Sequence, residues 1–410
     1  MRIILFFSLT IFWLNSSCAF GGGSIFESID ILAKNEIKNS GTPSLQIAIG
    51  YKGKIRYEQA YGFSDLENKV LASPESKYRT ASIAKWFTAT SAMKLTESGQ
   101  LDLDKPIQEY CPIMPSKKWV ITTRQLLTHT AGVRGYLDFD ELIKNSKDRK
   151  KIEELKYKKY QETLSQYTRY IDVSAPLSIF KDDPLMFEPD TEWSYTSFGY
   201  RILACVLEGA SGGDFQTLID DSIFKKAGMK NTVADDAWAI ISNRVSGYRL
   251  NRDRTVRRAD SRDVSENLPA GGYLSTASDL VRFALVFNDG LVSKKTKELM
   301  VSPVAADEID VNSEKSWRDA MPNKARYGYG IMLWSKYLPG MIGHTGRQAG
   351  AASILVLIPE QELSIAVMSN AKGWNGYLNF VMSLLSAIDN EGGISSLNKS
   401  MQPTAKVSAD

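Results

Sequence analysis

Ser82 and Lys85 stand three positions apart in the segment Ser82-Ile83-Ala84-Lys85. Side chains at i and i+3 share one face of a helix, so the lysine amine can reach the serine hydroxyl. A neutral amine in that position would act as the base that makes the serine a nucleophile for acyl transfer. The spacing alone is weak evidence. Five further serines have a lysine three residues later: Ser91, Ser178, Ser222, Ser369 and Ser396.

The surroundings of Ser82 distinguish it from the other copies. Residues 81–95 are predicted to form a helix that is apolar on most of its surface, and such helices lie in the interior of a protein. A serine and a lysine at the start of a buried helix need a specific reason. The first turn of a helix also has unpaired N–H groups and the positive end of the dipole, which favour a developing oxyanion.

Two further segments contain groups that could take part in the same chemistry. Tyr195 opens the segment Tyr195-Thr196-Ser197, and a phenol beside a lysine ammonium would ionise more easily and relay protons. His344, followed by Thr345 and Gly346, could bind a substrate carboxylate or move a proton. The glycine would let a substrate backbone approach a strand edge. For the tyrosine and the histidine, a structural role in packing stays open.

Composition excludes several function classes. The chain has 410 residues, of which 43% are hydrophobic and 24% charged, as in a soluble globular protein of two domains or one large two-lobed domain. The 50 basic and 47 acidic residues give a net charge of +3, so we expect no nucleic-acid partner. The histidines are His129 and His344, and the cysteines are Cys18, Cys111 and Cys205. We therefore expect neither a metal site nor a cofactor.

The N-terminal residues have the pattern of a targeting segment. Arg2 precedes the apolar run 3–14, and the small residues Ser17-Cys18-Ala19 predict a signal peptide, residues 1–19, and export to the outside of the cell or the periplasm. An uncleaved membrane anchor or a mitochondrial location are the alternatives. In an oxidising compartment Cys111 and Cys205 would either pair or stay as two buried thiols, and the sequence does not decide between these.

Secondary-structure signals place strands near both chain ends. Ser24 can cap a helix over residues 25–38. Two strands joined by Lys52-Gly53 follow it, and the C-terminal part has several strand patterns and a last helix. The predicted strands are 45–51, 55–61, 78–80, 327–334, 341–345, 352–358 and 363–369, and the last helix is 374–388.

These elements predict an α+β fold, an α/β sandwich. An antiparallel sheet would be formed by the N- and C-terminal segments and flanked by helices, with a mostly helical lobe inserted between them. The predicted divisions are a hydrolase domain over 20–392, its sheet lobe at 25–90 and 325–392, its helical lobe at 91–324, and a polar tail over 393–410. Residues 138–170 are rich in Lys, Glu and Tyr and are predicted to form an exposed helical insertion. Its charges either solvate a face or bind a partner.

The motifs occur in the order found in a known superfamily. The chain resembles the class C-like branch of the serine β-lactamases and penicillin-binding proteins, which implies their fold and an acyl-enzyme mechanism. The matching segments are residues 82–85, 123–132, 195–197, 270–276 and 344–346. Over residues 25–387 the chain is most similar to the mitochondrial serine β-lactamase-like (LACTB-like) proteases, which share the charged insertion.

The resemblance implies a role for each matching residue. Ser82 would be the acylated nucleophile, Lys85 its proton acceptor, and Tyr195 a general base or acid in acylation and deacylation. The oxyanion hole would use the N–H groups of Ser82 and Arg347. Residues implied in substrate binding are His344, Thr345, Gly346, Arg347 and Ser197. His129 is expected to be structural, with its ring bonding a loop backbone.

Two departures from the class C pattern bear on the substrate. Ser197 stands where those β-lactamases have asparagine, and its hydroxyl is shorter and has fewer donors. His344 replaces a lysine, and a neutral histidine attracts a carboxylate less strongly. Both changes argue against efficient penicillin hydrolysis and leave acyl transfer intact. The resemblance to the LACTB-like proteases implies a serine hydrolase with peptidase-type amide hydrolysis on a small peptide or acyl substrate. The alternatives are an esterase, a weak β-lactamase or D-Ala carboxypeptidase, and a catalytically silent binding or scaffold protein. Self-association stays open.

Overall fold

The computed structural model describes residues 24–304, 326–335 and 337–398. The predicted signal peptide and most of the predicted polar tail lie outside these residues. Within the described ranges, no helix has the length and apolar character needed to cross a membrane.

The described residues form the following helices and strands, numbered within each type in chain order. The α-helices are α1 (Ile25–Ser40), α2 (Ala84–Glu97), α3 (Thr123–Thr128), α4 (Phe139–Asn145), α5 (Arg149–Ser165), α6 (Ser197–Ser211), α7 (Phe215–Ile219), α8 (Lys225–Ala227), α9 (Leu268–Gly271), α10 (Ala277–Asp289), α11 (Lys294–Met300) and α12 (Tyr377–Asn390). The strands are β1 (Ser44–Tyr51), β2 (Lys54–Asp65), β3 (Val70–Leu71), β4 (Tyr78–Arg79), β5 (Val233–Ala234), β6 (Tyr248–Leu250), β7 (Val256–Arg258), β8 (Tyr273–Ser275), β9 (Arg326–Tyr327), β10 (Met332–Leu333), β11 (Ile342–Gln348), β12 (Ala351–Ile358), β13 (Leu363–Ser369) and β14 (Ala371–Lys372).

The main sheet joins the two ends of the chain. Its eight strands lie in the order β3-β2-β1-β13-β12-β11-β10-β9 and are antiparallel throughout. The pairing of β1 with β13 joins the N-terminal and C-terminal strands and brings Leu45 of β1 opposite Ser369 of β13. The predicted α+β fold, with a sheet built from N- and C-terminal segments, is confirmed.

The central strands β1, β12 and β13 are buried on both faces, which explains their nearly continuous apolar sequences. On β12, Ile354 and Val356 pack with helices α1 and α12 on one face. Leu355 and Leu357 point to the other face and join the core that contains α2, α6 and α10. Successive side chains of a strand point to opposite faces of the sheet. The helix α2, which follows Ser82, therefore packs on the face that Leu355 and Leu357 line.

A disulfide ties the helical region together. Cys111 and Cys205 are bonded with their Cα atoms 5.4 Å apart, across a sequence separation of 94 residues. Cys205 lies on α6, so the crosslink attaches this helix to the loop that follows α2. Of the two alternatives left open by the sequence, the structure has the paired form.

The structure differs from the sequence prediction in three places. Residues 327–334 form two short antiparallel strands rather than one strand, because Gly330 turns the chain at a φ of +74°. The insertion forms two helices, α4 and α5, and Glu162 and Ser165 of α5 are buried. The start of the predicted polar tail forms a 3₁₀ turn, Ile394–Asn398, and Leu397 is fully buried.

Candidate active site

Ser82 lies in a tight turn whose backbone is held from two sides. The turn is a 3₁₀ helix, Ala81–Ile83, that leads directly into α2. Thr80 donates its N–H to the carbonyl of Tyr273 at 2.8 Å and accepts a bond from the Ser353 hydroxyl at 2.8 Å. Ala81 has a φ of +46°, a left-handed conformation that non-glycine residues adopt only where the surroundings impose it.

Lys85 is the centre of the site and is fully buried. Its Nζ lies 3.2 Å from Ser82 Oγ, 3.1 Å from Ser197 Oγ and 3.1 Å from the carbonyl oxygen of Ala270. The carbonyl can only accept a hydrogen bond, whereas each hydroxyl can accept or donate one. A neutral amine, with two N–H groups and one lone pair, therefore satisfies all three neighbours if one hydroxyl donates to it.

The surroundings of Lys85 favour this neutral form. Burial, and then the positive charge of Arg201, hold the pKa of the Lys85 amine well below its usual value. The ring centroids of Tyr195 and Tyr200 lie 4.9 and 5.7 Å from Nζ, so these rings are among the groups that bury the amine. The expectation of a base at Lys85 requires such a lowered pKa, and this direction is confirmed.

Tyr195 also contacts the serine, but it is not an easily ionised phenol. Its hydroxyl hydrogen-bonds the Ser82 side chain. Burial raises the pKa of Tyr195 above its ordinary value, and the bond from Ser82 lowers it only in part. The expectation of a phenolate stabilised by a lysine ammonium is therefore wrong, because the amine that would supply the charge is itself depressed in pKa.

Ser197 faces Lys85 from the first turn of α6. Thr196 caps this helix, its hydroxyl accepting the N–H of Phe198 at 3.0 Å. The cap directs Ser197 toward the lysine, and its Oγ is the second hydroxyl beside Nζ. The structure thus places Ser197 among the partners of Lys85, while its contact with substrate stays a prediction.

His129 fixes the tyrosine segment from behind. It ends α3 in a left-handed conformation, φ +64°, and its Nδ1 accepts the backbone N–H of Thr196 at 3.2 Å. Its own carbonyl accepts the N–H of Ser194 at 3.0 Å. The expected structural role, a ring bonding a loop backbone, is confirmed.

His344 lies inside the protein rather than at the site's surface. The ring is fully buried, with Nε2 at 3.1 Å from the Tyr327 hydroxyl and Nδ1 at 2.6 Å from the Thr345 carbonyl oxygen. Burial, together with the charge of Lys85, lowers the pKa of His344 to about 3. A neutral ring with both nitrogens engaged has no free group for a substrate carboxylate, so this geometry does not support the expected carboxylate contact.

The strand that follows His344 packs tightly on the nucleophile turn. A Cβ added at Gly346 would overlap the Thr80 carbonyl oxygen and the Ser353 hydroxyl. Thr345 and Arg347, on either side, both contact the hydroxyl of Tyr377 at the start of α12. Gly346 therefore lets β11 lie against the Ser82 turn, and the roles of these residues toward substrate, including the Arg347 N–H in an oxyanion hole, stay predictions.

Sequence reasoning missed two residues of this arrangement. Ala270 is in a segment that the resemblance singled out, but its carbonyl as a partner of Lys85 has no sequence signature. Arg201 lies one helical turn after Ser197 on α6, and its isolated charge in an apolar helix was the available signal. Across the residues that the structure describes, no His, Cys, Asp and Glu side chains cluster in a way that could hold a metal ion.

Comparisons with known proteins show which sequences this chain is similar to. Residues 29–380 match the sequence model of the Beta-lactamase family. The chain is 28% identical to "Serine beta-lactamase-like protein LACTB, mitochondrial" of Homo sapiens, over 85% of this chain and 74% of that protein. It is 25% identical to Penicillin-binding protein 4* of Bacillus subtilis, over 78% of this chain and 66% of that protein.

Solved structures show the same fold at lower identity. A penicillin-binding protein homologue from Pyrococcus abyssi has a TM-score of 0.69 and 21% identity, covering 90% of this chain and 77% of that chain. A D-amino acid amidase from Ochrobactrum anthropi has a TM-score of 0.69 and 20% identity, covering 89% and 99%.

Proposed function

This chain belongs to the Beta-lactamase family of serine hydrolases, and we propose that it is a peptidase-type acyl-hydrolase that works through an acyl-enzyme on Ser82. One observation carries the proposal. The Lys85 amine lies 3.2 Å from Ser82 Oγ, and its pKa is well below that of an ordinary lysine, chiefly through burial. A lowered pKa increases the fraction of neutral amine, which can accept the serine proton, whereas an ammonium cannot.

Acylation begins with transfer of the Ser82 hydroxyl proton to Lys85 Nζ. The serine oxygen then forms a bond to the substrate carbonyl carbon. The resulting ammonium keeps its bond to the Ala270 carbonyl, which stabilises the positive charge. The Tyr195 hydroxyl, which contacts Ser82, donates a proton to the leaving nitrogen and is reprotonated at the expense of Lys85. The C–N bond of the substrate then breaks as the carbonyl re-forms, and the amine product leaves with that proton.

Hydrolysis of the acyl-enzyme reverses the proton path. Water donates a proton through Tyr195 to the neutral Lys85 amine and attacks the ester carbon. The Ser82 oxygen leaves as the C–O bond breaks and recovers the proton from Lys85, so the acid product and the free enzyme are formed.

Two side chains support an open-chain amide rather than a β-lactam as the substrate. Ser197 directs its hydroxyl at Lys85, 3.1 Å away, and lacks the amide of an asparagine. His344 has a pKa of about 3 because it is buried, so at neutral pH it gives no positive charge for the carboxylate of a penicillin. Both features support slow β-lactam turnover and leave acyl transfer from peptides and esters intact.

A fluorophosphonate probe tests the proposed nucleophile. We expect the folded protein to be labelled with a stoichiometry of about one at neutral pH, and Ser82→Ala to show no labelling. Ser91→Ala is the matched control, since Ser91 has the same Ser-x-x-Lys spacing on α2. No labelling of the folded protein would favour a catalytically silent binding role. Undiminished labelling of Ser82→Ala would place the nucleophile elsewhere.

A substrate panel then tests the reaction class. Short peptides, D-Ala-terminated peptides, acyl esters and nitrocefin are compared by kcat/KM on one enzyme preparation. Peptide turnover with slow nitrocefin hydrolysis is the expected result. Turnover confined to esters would identify an esterase, and nitrocefin turnover typical of a β-lactamase would contradict the argument from Ser197 and His344.

We also propose that the protein is exported into an oxidising compartment. The Cys111–Cys205 disulfide supports this, because such bonds persist mainly outside reducing cytosol. The human relative carries the word mitochondrial in its name, which keeps that location as the alternative. Cell fractionation of a tagged protein, with N-terminal sequencing of the mature chain, distinguishes the two.

A further inference from the structure

Arg201 is a buried cation that the proposed mechanism does not use. It lies on α6 with 1% of its surface exposed, four residues after Ser197 and therefore on the same helix face. Its guanidinium donates to the Tyr136 hydroxyl at 2.9 Å and pairs with Glu266 at 3.1 Å. Its Nε lies 3.4 Å from the side-chain oxygen of Asn267. A buried arginine with this many partners fixes the elements that carry them.

Arg201 and two residues that bind it lie on or directly beside the elements that contact Lys85. Glu266 and Asn267 form the 3₁₀ turn Ser265–Asn267, which continues into α9. Ala270 of α9 gives the carbonyl that accepts from Lys85, and Ser197 of α6 gives one of the hydroxyls. Arg201 thus joins the two elements that hold two of the three oxygens around Nζ.

We propose, building on the acyl-enzyme function proposed above, that Arg201 is a positioning residue that clamps α6 to the turn before α9 and so holds Lys85 in place beside Ser82. The clamp sets the distance between the Ser197 hydroxyl and the Ala270 carbonyl. Without it, Nζ loses the fixed oxygens that direct its lone pair at the serine.

The clamp extends to the charged insertion. Ser165, the last residue of α5, donates its hydroxyl to the second carboxylate oxygen of Glu266 at 2.6 Å. Arg201 occupies the first oxygen, so the carboxylate is held from both sides. The buried end of the insertion therefore supports the residue that Arg201 pairs with.

Arg201 also differs in charge from the histidines and tyrosines around Lys85, because its guanidinium stays positively charged. His129 and His344 are neutral at neutral pH, because burial lowers the pKa of each ring. Burial raises the pKa of Tyr195 and Tyr200, so both phenols keep their protons. The Arg201 charge, after burial itself, is a cause of the lowered pKa of Lys85.

The test is the pH dependence of the fluorophosphonate labelling rate in the full-length protein. In wild type the rate should rise with pH as Lys85 loses its proton, and then reach a plateau. In Arg201→Met the midpoint should move to higher pH by about one unit, since a nearby like charge has been removed. The plateau should fall roughly tenfold or more, because the base is no longer held in place.

Two conservative variants separate charge from position. Arg201→Lys keeps the charge but cannot bridge Glu266 and Asn267, so its midpoint should stay near wild type while its plateau stays low. Glu266→Gln removes the carboxylate that pairs with Arg201, and its midpoint should move to lower pH. These variants nearly conserve volume and keep the inference testable if Arg201→Met does not fold.

Arg134→Met is the matched control. Arg134 is also buried, pairs with Glu162 at 2.6 Å and Asp183 at 2.5 Å, and like Arg201 lies over the ring of Phe198. We expect it to lose stability with no change in midpoint. Arg201 variants with wild-type midpoint and plateau, or an equal shift in Arg134→Met, would overturn the inference. A folded wild type that is never labelled would instead overturn the proposed function itself.

Discussion

The backbone N–H of Thr196 donates to Nδ1 of His129 across 3.2 Å in a fully buried setting. The bond joins the end of α3 to the residue that caps α6, so the ring positions the segment that contains Tyr195 and Ser197. Because Nδ1 accepts, the ring must carry its proton on Nε2 while it is neutral. Burial, and then the charges of Lys85 and His344, hold the pKa of His129 well below its usual value, which favours the neutral ring.

Acid should destabilise the protein through its two histidines. Both have a folded-state pKa below the ordinary value of 6.5, that of His344 being about 3, so the unfolded chain binds protons first as the pH falls. Stability is then complete above about pH 6.5 and is lost toward pH 3, by up to about 1.4 kcal/mol per pH unit for each ring. Urea unfolding at several pH values measures this slope. His344→Gln should have a shallower slope than wild type, and an equal slope would contradict the assignment.

Lys85→Met should abolish acylation while it stabilises the fold. Loss of the base should lower the labelling rate by about 100-fold or more. The lowered pKa of Lys85 means that the folded state excludes a proton that the unfolded chain binds up to about pH 10.5. The variant should therefore melt at a higher temperature than wild type at pH 7, and the difference should shrink as the pH approaches 10.5. Ser82→Ala is the control, inactive but without this pH-dependent gain.

Tyr195→Phe should separate substrates by their leaving group. The phenol is proposed to protonate the departing nitrogen of an amide, a step that a good leaving group does not need. Peptide hydrolysis should fall by about 10²- to 10⁴-fold, and fluorophosphonate labelling much less. Parallel rate measurements on the two substrates check this. An equal loss on both would mean that Tyr195 acts on the Ser82 nucleophile instead.

Gly346→Ala should inactivate the enzyme by pushing β11 away from the nucleophile turn. The added methyl group would meet the Thr80 carbonyl and the Ser353 hydroxyl, and overpacking of this kind costs about 1–3 kcal/mol. The labelling rate and the melting temperature should both decrease. Gly213→Ala is the matched control, because a methyl group there meets only the Ser211 hydroxyl at 3.9 Å. A Gly346→Ala variant with full activity would show that the strand has room to move.

Reduction of the disulfide should lower stability without changing the site directly. Cys111–Cys205 closes a loop of 94 residues, and removal of such a bond typically costs about 2–5 kcal/mol. We expect dithiothreitol to lower the melting temperature of wild type and to leave a Cys111→Ala/Cys205→Ala variant unchanged. Free-thiol titration of the denatured wild type gives an independent check, and two reactive thiols from these positions would refute the pairing.

The sequence identified the parts of the site that have fixed letters and order. Ser82, Lys85 and Tyr195 were found from motifs, and the structure brings them together. The Ala270 carbonyl was not found, because every residue has a carbonyl and only the tertiary packing of α9 aims this one. The predicted direction of the Tyr195 pKa shift was wrong, since burial raises this pKa and a motif does not show how deeply its tyrosine is buried.

The fold was predictable wherever hydrophobic period and turn signals agreed. The strands on either side of Lys52-Gly53 and the helix capped by Ser24 follow such signals. Residues 327–334 alternate like one strand, yet Gly330 lies against the Lys85 carbonyl and the Tyr200 hydroxyl and the chain reverses there. That approach depends on residues far away in sequence, which a local pattern does not contain.

The pairing of β1 with β13 has a consequence for how the protein folds during synthesis. During synthesis the β1–β2 hairpin leaves the ribosome early, but the other edge of β1 has no partner until Ser369 has been made. An unpaired apolar edge is a template for aggregation, and contacts between distant segments form slowly. The nascent chain must therefore keep this edge covered or delay its collapse until the last strands emerge. A chain truncated before β13 would lack the strand that lies between β1 and β12 and joins the two parts of the sheet.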